Sequence, residues 1–420
     1  MSAVLDKKKV LDVEFCREQF PAFHDPSARE WLFFENAGGS YVANPVIERY
    51  NKYLISHRVQ PGSYHALSTA ATSAVDEAYA LFSEVINAKK QEIIFNISTS
   101  MNFYVLANAF RKELKLGDEI IVTNQDHESN IGFWRRLADM GVVVREWGVS
   151  SETGLLLVDD LKKLLNKNTR FVFCSHCSNV VADIQDIKTI GEHVHNVKAM
   201  LIVDGVSYAP HGSLDMNDLN VDFYSYSIYK TYGPHLALMY GKQEHLERLS
   251  NEGHYFNQHI LRKKWSPAGP PYEQIAAAVG VVDYYLRVYA HHFGKNEECL
   301  HNKVKKVHDL FHMHEINLCN PILEYLRKHP KIRILGAEEM IPHKRGPNLA
   351  FTHAELSSKA IVEALAKKKI AATNYHFYAR RLIEAVGISN PNDGAVRLSL
   401  VHYNTLDEVH KFLEVCEEIL

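Results

Sequence analysis

The sequence predicts an α/β fold in which helices cover both faces of a mostly parallel sheet, followed by a smaller C-terminal α+β domain. Between residues 92 and 203, short apolar runs alternate with amphipathic stretches, which is typical of strands and helices in such a sheet. After residue 241 this alternation gives way to long helical patterns with a few isolated strands. A chain of 420 residues is also too long for one small core, so two domains are expected.

The individual elements follow from the spacing of apolar residues. Strands are predicted at residues 31–34, 92–95, 119–122, 142–147, 170–174 and 199–203. Helices are predicted at residues 72–88, 99–115, 130–140, 157–165 and 184–195. Beyond a predicted loop at 255–271, helices are expected at 272–291, from about 302, at 357–368 and at 406–420, with strands at 331–335, 348–352 and 395–400.

These elements predict three parts of the chain. Residues 1–30 form an N-terminal arm, residues 31–285 a large domain, and residues 286–420 a small α+β domain. Residues 31–60 are expected to pack on the small domain although they precede the large one.

Composition excludes several classes of function. An apolar share of 46% and a charged share of 23% are those of an ordinary globular protein, and a net charge of −3 favours neither nucleic acid nor an anionic membrane as a partner. No apolar run is long enough for a membrane span, and no signal peptide is expected. Six scattered cysteines suggest reduced thiols in the cytoplasm. The Cys174–Cys177 pair lacks a second pair, so it is interpreted as structural, and no metal site is predicted.

Asp204 and Lys230 carry the strongest chemical signal. Asp204 ends an apolar strand, and Lys230 follows in a stretch rich in aromatic and polar residues. Pyridoxal 5′-phosphate needs a lysine that holds its aldehyde as a Schiff base and a carboxylate that keeps its pyridine nitrogen protonated. The segments 98–100, 126–130 and 178–179 also follow predicted strands, as Asp204 ends one. Ligands bind at that edge of a parallel sheet, so a pyridoxal phosphate site is predicted there.

The chain resembles the class V aminotransferase superfamily, which has the fold-type I pyridoxal phosphate architecture. Within it the chain is most similar to the cysteine desulfurase and selenocysteine lyase branch, from about Phe33 to the C-terminus. The motifs that carry the resemblance are VDG at 203–205, YAPHG at 208–212, SIYK at 227–230 and VHYNT at 401–405. The chain is most similar to a desulfurase-like group that shares APHG at 209–212, YGPH at 232–235 and HYNT at 402–405.

The resemblance implies a cofactor role for nine residues. Lys230 is the Schiff-base lysine and Asp204 the partner of the pyridinium nitrogen. Thr99 and Ser100, at the start of a predicted helix, hold the cofactor phosphate. Ser227 reaches the same phosphate, and Tyr229 replaces a histidine of the family. His127 stacks on the cofactor ring and can move protons. Asn179 forms a hydrogen bond with the ring hydroxyl, and Ser207 replaces a glutamine.

The resemblance also implies a substrate site. Arg397 matches the arginine that clamps the substrate carboxylate, which its planar fork suits. Ala37 and Gly38 would add backbone donors. Tyr378 stands at or near the position where desulfurases carry a cysteine that takes up sulfur as a persulfide, and a phenol cannot do this. Pro270 lies where the family usually has a threonine that reaches the phosphate of the partner subunit in a homodimer.

The resulting hypothesis is a homodimeric pyridoxal phosphate enzyme acting on a small amino acid, with Lys230 or His127 moving the α-proton. His127 occupies the position where aminotransferases tend to have tryptophan, which favours β-elimination at a C–S bond by a lyase without a persulfide cysteine. Transamination, racemisation or epimerisation, and a non-catalytic binding protein with the same fold remain open.

Overall fold

The computed structural model describes residues 10–420, so residues 1–9 of the predicted arm lie outside the described part. The helices of the first half are α1 (Val13–Glu18), α2 (Asn44–Ser56), α3 (Ala66–Val85), α4 (Thr99–Arg111), α5 (Gly132–Arg135), α6 (Val158–Leu164), α7 (Ile187–Asn196) and α8 (Met216–Leu219). Those of the second half are α9 (Gln243–Arg248), α10 (Leu261–Lys264), α11 (Tyr272–Phe293), α12 (Leu300–Lys328), α13 (Ser358–Lys367), α14 (Arg380–Ala385) and α15 (Leu406–Ile419).

The strands alternate with these helices. They are β1 (Leu32–Phe33), β2 (Ile93–Asn96), β3 (Glu119–Thr123), β4 (Val143–Trp147), β5 (Thr169–Ser175), β6 (Met200–Asp204), β7 (Phe223–Ser227), β8 (Ala237–Gly241), β9 (Ile332–Leu335), β10 (Asn348–His353), β11 (Ile370–Ala371), β12 (Thr373–Tyr375) and β13 (Ala395–Ser399). The predicted α/β class is therefore confirmed.

A seven-stranded sheet forms the centre of the molecule, with strand order β2-β8-β7-β6-β5-β3-β4. The pairs from β7 to β4 are parallel, and only β8 runs antiparallel to its two neighbours. The mostly parallel sheet that the sequence predicts is thus confirmed. Asp204 at the end of β6 lies in register with Ser175 of β5 and Ser225 of β7, so the carboxyl ends of three strands meet at one edge.

Helices cover both faces of this sheet, because its strands bury alternate side chains in two separate cores. Val172 of β5 packs into the core that also contains residues of α3, α7 and α11, whereas Phe171 and Phe173 pack into the core that contains residues of α4 and α5. This period of two is that of a strand buried on both sides.

A four-stranded antiparallel sheet with the order β12-β13-β10-β9 lies in the C-terminal part of the chain. Its core includes residues of α12, α13 and α15. Strand β1 pairs in parallel with β11, through Leu32 opposite Ile370 and Phe33 opposite Ala371. Helix α2, by contrast, packs on α11, where the backbone of Val46 lies so close to Gly280 that a Cβ at 280 would overlap it. The exact domain boundaries remain a prediction.

Several local predictions were incomplete. The helix predicted at 130–140 is the short α5 followed by a 3₁₀ turn at Arg136–Met140, and the loop predicted at 255–271 contains α10. The sequence interpretation did not identify α2, α14, β7 or β8. Strand β7 reads FYSYS, and its serines are buried against neighbouring polar groups rather than exposed, so the alternation does not show a solvent face. No described helix has the length and apolar character to cross a membrane.

Candidate active site

A cavity of about 230 Å³ lies at the sheet edge where β5, β6 and β7 end. Lys230 reaches it from the 3₁₀ turn Ile228–Lys230 that connects β7 with β8. All nine residues for which the sequence predicts a cofactor role line this cavity: Thr99, Ser100, His127, Asn179, Asp204, Ser207, Ser227, Tyr229 and Lys230. The structure therefore brings together side chains from positions 99 to 230.

One end of the cavity is formed by the N-terminus of α4. Ser98 caps this helix by accepting a hydrogen bond from the Met101 N–H, which leaves the N–H groups of Thr99 and Ser100 without intrahelical acceptors. The Thr99 Oγ1 and Ser227 Oγ atoms lie 2.9 Å apart at the same place. Free amides, two hydroxyls and the positive end of a helix dipole together form a site for a phosphate group.

Lys230 and Asp204 are the ionisable pair of the cavity. Burial lowers the pKa of the Lys230 ammonium to about 8, the Arg397 charge lowers it as well, and Asp204 opposes the shift. Burial also raises the pKa of the Asp204 carboxyl to about 7, against the hydrogen bond that Asp204 Oδ1 accepts from the Val206 N–H. A lysine with a lowered pKa provides free amine near neutral pH, and a buried carboxylate favours a cationic partner.

Gly205 is required beside Asp204 by packing. A Cβ at this position would lie 2.0 Å from the Tyr224 ring, so only glycine lets the strand end turn here. This contact gives a physical reason for the VDG motif.

The His127 ring is neutral in this site. Burial, together with the charges of Lys230 and Arg397, lowers its pKa to about 3. Its Nδ1 accepts a hydrogen bond from the Ser129 N–H at 3.1 Å, so the hydrogen of the neutral ring lies on Nε2. The Tyr378 ring stacks on His127 with 5.1 Å between ring centroids.

Asn179 and Tyr229 have partners that leave part of their bonding capacity free. Asn179 Nδ2 donates to the Phe377 carbonyl at 2.8 Å, and its second hydrogen remains available. The Tyr229 ring stacks on His235 with 4.8 Å between centroids. His235 also lines the cavity, and it belongs to the YGPH motif that the sequence highlights without a role.

Arg397 is buried beside the cavity rather than in its wall. Its Nη1 donates to the Asn179 carbonyl at 3.0 Å, and its guanidinium lies 4.1 Å from the centroid of the Phe377 ring. The Nε atom is buried without a hydrogen-bond partner among the described residues. Because its charge lowers the pKa of both Lys230 and His127, Arg397 acts electrostatically on the site. Burial lowers the pKa of Arg397 itself to about 10.

Two parts of the predicted substrate site lie outside the main cavity or have other hydrogen-bond partners in this structure. The Ala37 N–H donates to Ser399 Oγ at 2.8 Å, and the Gly38 N–H donates to the Glu35 carbonyl at 3.1 Å, so neither amide is free to bind a carboxylate. Tyr378 is 64% exposed and does not line the cavity, although its ring covers His127.

Three further residues contribute to the site. Cys177, interpreted from the sequence as structural, lines the cavity, but burial raises the pKa of its thiol and keeps it protonated. Ser175 also lines the cavity and donates to the buried Asp126 at 2.9 Å. Burial raises the pKa of Asp126 to about 6, and Asp126 raises the pKa of Asp204. Asp126 lies in the 126–130 segment that the sequence places at this edge, so its position there was its only signal.

The donor set fits pyridoxal 5′-phosphate. The α4 N-terminus and the Thr99 and Ser227 hydroxyls suit its phosphate, the Lys230 amine suits its aldehyde, and the buried Asp204 carboxyl suits its ring nitrogen. Within residues 10–420, no group of three or more histidine, cysteine or acidic side chains could hold a metal ion.

Comparisons with known proteins identify the family of the chain. The family profile described as "Aminotransferase class-V" matches residues 32–412. An aminotransferase-like protein of Gibberella zeae is 37% identical over 97% of this chain and 98% of its own length. A cysteine desulfurase-like protein of Aspergillus flavus is 31% identical over 98% of this chain and 92% of its own length.

Solved structures agree in fold. The apo cysteine desulfurase of Thermococcus onnurineus NA1 superposes with a TM-score of 0.83 at 23% identity, covering 100% of this chain and 99% of that one. The cysteine desulfurase CsdA of Escherichia coli gives a TM-score of 0.80 at 22% identity and 98% coverage of both chains.

Proposed function

The chain belongs to the class-V aminotransferase family, a family of pyridoxal phosphate enzymes, and from this premise we propose that it cleaves a C–S bond of a small amino acid by β-elimination. The observation that supports a reaction at the substrate Cα most directly is the convergence of Lys230 and Asp204 on one buried cavity beneath the α4 N-terminus.

When bound, the cofactor supplies an electron sink for the negative charge that develops at the substrate Cα. Its phosphate would lie at Thr99, Ser100 and Ser227, and its ring between His127 and the end of β6. Asp204 Oδ1 is oriented by the Val206 N–H, so the carboxylate is held in place to stabilise a protonated ring nitrogen.

Lys230 is proposed as the base that removes the α-proton once its amine is released. With its pKa lowered to about 8 by burial, a substantial fraction of the amine is unprotonated at neutral to slightly alkaline pH. His127 carries its hydrogen on Nε2 and is neutral, so it is proposed to donate a hydrogen bond to a departing sulfur rather than to act as a cation, and the proton that Lys230 has taken up passes to that sulfur.

Arg397 is proposed to orient the substrate carboxylate. Its Nε has no partner among the described residues, while Nη1 is anchored by the Asn179 carbonyl, so one edge of the fork remains for a ligand. The small cavity, about 230 Å³ for cofactor and substrate together, favours a small amino acid.

A lyase that releases sulfide differs from a desulfurase, which passes sulfur to a cysteine. The loop at 374–379 contains no cysteine, and the Cys177 thiol is kept protonated by burial, which disfavours nucleophilic attack. Elimination from cysteine with water would give pyruvate, sulfide and ammonia.

Transamination is the second candidate, and the name of the Gibberella zeae relative favours it. That reaction shares the same bond cleavage at Cα and needs the same Lys230 and Asp204. Racemisation or epimerisation would also use these groups, with His127 or another acid on the opposite face.

Cofactor chemistry is tested first. The purified protein with added pyridoxal 5′-phosphate should turn yellow, and borohydride should fix the cofactor to Lys230. Lys230→Ala should lose this fixation, whereas Lys264→Met, which removes a buried lysine outside the cavity, should keep it. A colourless wild-type protein would favour the non-catalytic alternative and refute the proposal.

Reaction type is tested by offering L-cysteine, L-cystine and L-alanine in parallel. We expect pyruvate and sulfide (or persulfide from cystine) in equal amounts, above the rate of free cofactor. Amino transfer to a keto acid without sulfide release would instead establish transamination, and loss of optical activity alone would establish racemisation.

The assembly is proposed to be a homodimer, as the resemblance implies, located in the cytoplasm, as the scattered cysteines suggest. Pro270 would then provide no hydroxyl to the phosphate of the cofactor bound in the partner subunit. Each cofactor phosphate would therefore depend more on the Thr99 and Ser227 hydroxyls of the chain that binds it. Light scattering of the purified protein measures the mass, and a monomer with bound cofactor would refute the dimer alone.

A further inference from the structure

His211 lies between two cavities that the proposed chemistry leaves unexplained. A small cavity of about 10 Å³ adjoins the main one and is lined by Lys230, Asn348 and His211. An outer cavity of about 140 Å³ is lined by His211 together with Ser213, Lys305, His308, Asp309, His312 and His343. His211 is the one histidine shared by the lining residues of both cavities.

Buried polar atoms without hydrogen-bond partners among the described residues lie beside both cavities and next to His211. The Asn348 Oδ1 atom beside the inner cavity is buried and has no hydrogen-bond partner among the described residues. The same holds for Ser213 Oγ, His308 Nδ1 and His312 Nε2 beside the outer cavity, and for Glu315 Oε2 next to His211. Buried polar atoms need partners, and the inner cavity has about the volume of one water molecule. Ordered water in both cavities would satisfy them.

Glu315 holds the His211 ring in a defined state. Its Oε1 atom lies 3.0 Å from His211 Nδ1, and both side chains are buried. A carboxylate can only accept, so Nδ1 carries a hydrogen and Nε2 is left to take up a proton. The charge of the resulting imidazolium would be balanced by the same carboxylate.

The need for such a route follows from the site itself. Cofactor and substrate together would occupy the main cavity of about 230 Å³ and displace water from it, yet under the proposed function Lys230 gains and loses protons in each turnover. We propose that His211, held by Glu315, carries protons between Lys230 and the solvent through water in the two cavities. This inference rests on the proposed function, because it assigns to Lys230 a changing protonation state.

Each passage moves one proton and changes no other bond. A proton leaves Lys230 Nζ for the inner water, which passes a proton to His211 Nε2, and Nε2 then releases it to water in the outer cavity while Nδ1 keeps its hydrogen bond to Glu315. The exposed His343 and Lys305 lie where the outer cavity meets the solvent. His211 acts on Lys230 through water, so it is a positioning residue and not itself a catalytic one.

Other titratable groups lie around His211 and contribute to the electrostatic potential at its ring. They are Lys305, His308, Asp309, His312 and Glu315 of α12, together with Tyr208, Lys230, His343 and His402. Burial lowers the pKa of His308 to about 3 and that of His312 below its ordinary value, so these rings are neutral and donate or accept without adding charge.

The experiment is a rapid pH jump on the cofactor-loaded protein without substrate. The visible absorbance of the cofactor held at Lys230 changes when the linking nitrogen gains or loses a proton, so its relaxation measures proton delivery rather than turnover. His211→Asn keeps a polar side chain but cannot carry a proton, and we expect relaxation at least about tenfold slower than in the wild type. Imidazole added to His211→Ala should restore the fast relaxation.

Two further variants keep the test decisive. Ser213→Leu fills the outer cavity without altering His211 and should also slow the relaxation, and it decides the matter if His211→Asn does not fold. His245→Asn removes a histidine that bonds Asp222 outside this route and should relax as the wild type does. Relaxation within about twofold of the wild type in both His211→Asn and Ser213→Leu overturns the proposal.

A second readout does not depend on the cofactor. A crystal structure of the apoprotein should show ordered water beside Asn348 Oδ1 and in the outer cavity. Dry cavities would overturn the inference even if the enzyme is active, whereas wet cavities in a protein that binds no cofactor would refute only the proposed function.

Discussion

The hydroxyl oxygens of Thr99 and Ser227 lie 2.9 Å apart, although 128 positions separate the two residues in the chain. Thr99 begins α4 and Ser227 ends β7, so the folded sheet brings a helix N-terminus and a strand end to one point. This pair is the clearest anchor for an anionic group in the cavity, and the first prediction follows from it.

Thr99→Val removes one hydroxyl but keeps the side-chain volume. A hydrogen bond to a charged group contributes about 2 kcal/mol, so the dissociation constant of pyridoxal 5′-phosphate should rise about 30-fold. Titration of the apoprotein by absorbance measures it, with Thr69→Val on the exposed face of α3 as the matched control. Ser227→Ala should weaken binding similarly, and the double variant should cost less than the sum because the hydroxyls contact each other. Unchanged affinity in both single variants would place the phosphate elsewhere.

Asp204→Asn should leave the cofactor bound but slow the exchange of the substrate α-hydrogen with solvent by about 10²–10³-fold, because the amide cannot balance a protonated ring nitrogen. In the wild type, burial raises the pKa of Asp204 to about 7, so lowering the pH through 7 protonates the carboxyl and should weaken cofactor binding. The variant should lack this dependence. Proton NMR in D₂O and titrations at several pH values provide the two measurements.

Lys230→Met should stabilise the apoprotein, and more so at pH 7 than at pH 10.5. Burial lowers the folded-state pKa of Lys230 to about 8, below its ordinary value of 10.5. Between these values the unfolded chain binds more protons, so the wild-type free energy of unfolding rises with pH through this window. The difference between variant and wild type should therefore shrink by up to about 3 kcal/mol from pH 7 to 10.5.

Urea unfolding at the two pH values measures this effect. Lys52→Met, on the exposed face of α2, should show no comparable pH dependence. A constant difference between Lys230→Met and the wild type would mean that the Lys230 amine is solvated in the folded state.

Arg397→Lys keeps a positive charge but loses the planar fork. If Arg397 clamps the substrate carboxylate, kcat/KM should fall about 10–100-fold, mainly through KM, since about 1.5–3 kcal/mol is lost with a bidentate charged contact. Arg333→Lys, which alters an arginine bonded to the Val386 carbonyl, serves as the control. A purely structural effect would instead lower the melting temperature and leave KM unchanged.

The sequence predicted both the fold and the grouping of the cavity residues, because both follow from the geometry of a parallel sheet. The carboxyl ends of parallel strands meet at one edge, so residues that follow β2, β3, β5 and β6 had to lie together. Their individual roles stay predictions. Strands β7 and β8 were not recognised, because the buried serines of β7 are hydrogen-bonded to Asn102 and Thr99 of α4, and no local pattern shows that.

Contacts with distant parts of the chain explain the remaining differences. The Ala37 N–H is occupied by Ser399, 362 positions away, which no local reasoning can anticipate. Arg397 sits on the Phe377 ring behind the cavity wall, because the segment after β12 folds against β13 in a way that the sequence pattern does not show. Cys177 was judged by its spacing to Cys174, although its proximity to the strand end at Ser175 places it in the cavity.

The pairing of β1 with β11 has a consequence for the order in which the protein can be assembled during synthesis. Leu32 and Phe33 are made more than 300 residues before their partners Ile370 and Ala371. Ala37, beside the small cavity that contains Lys230, bonds Ser399, which is made later still. Strand β1 therefore stays unpaired while the central sheet is made. Contacts of such wide sequence separation also form slowly. The wall of the site nearest Lys230 is thus completed only after the central sheet has been made, so a chain truncated before Ile370 could hold the whole sheet and still lack a closed site.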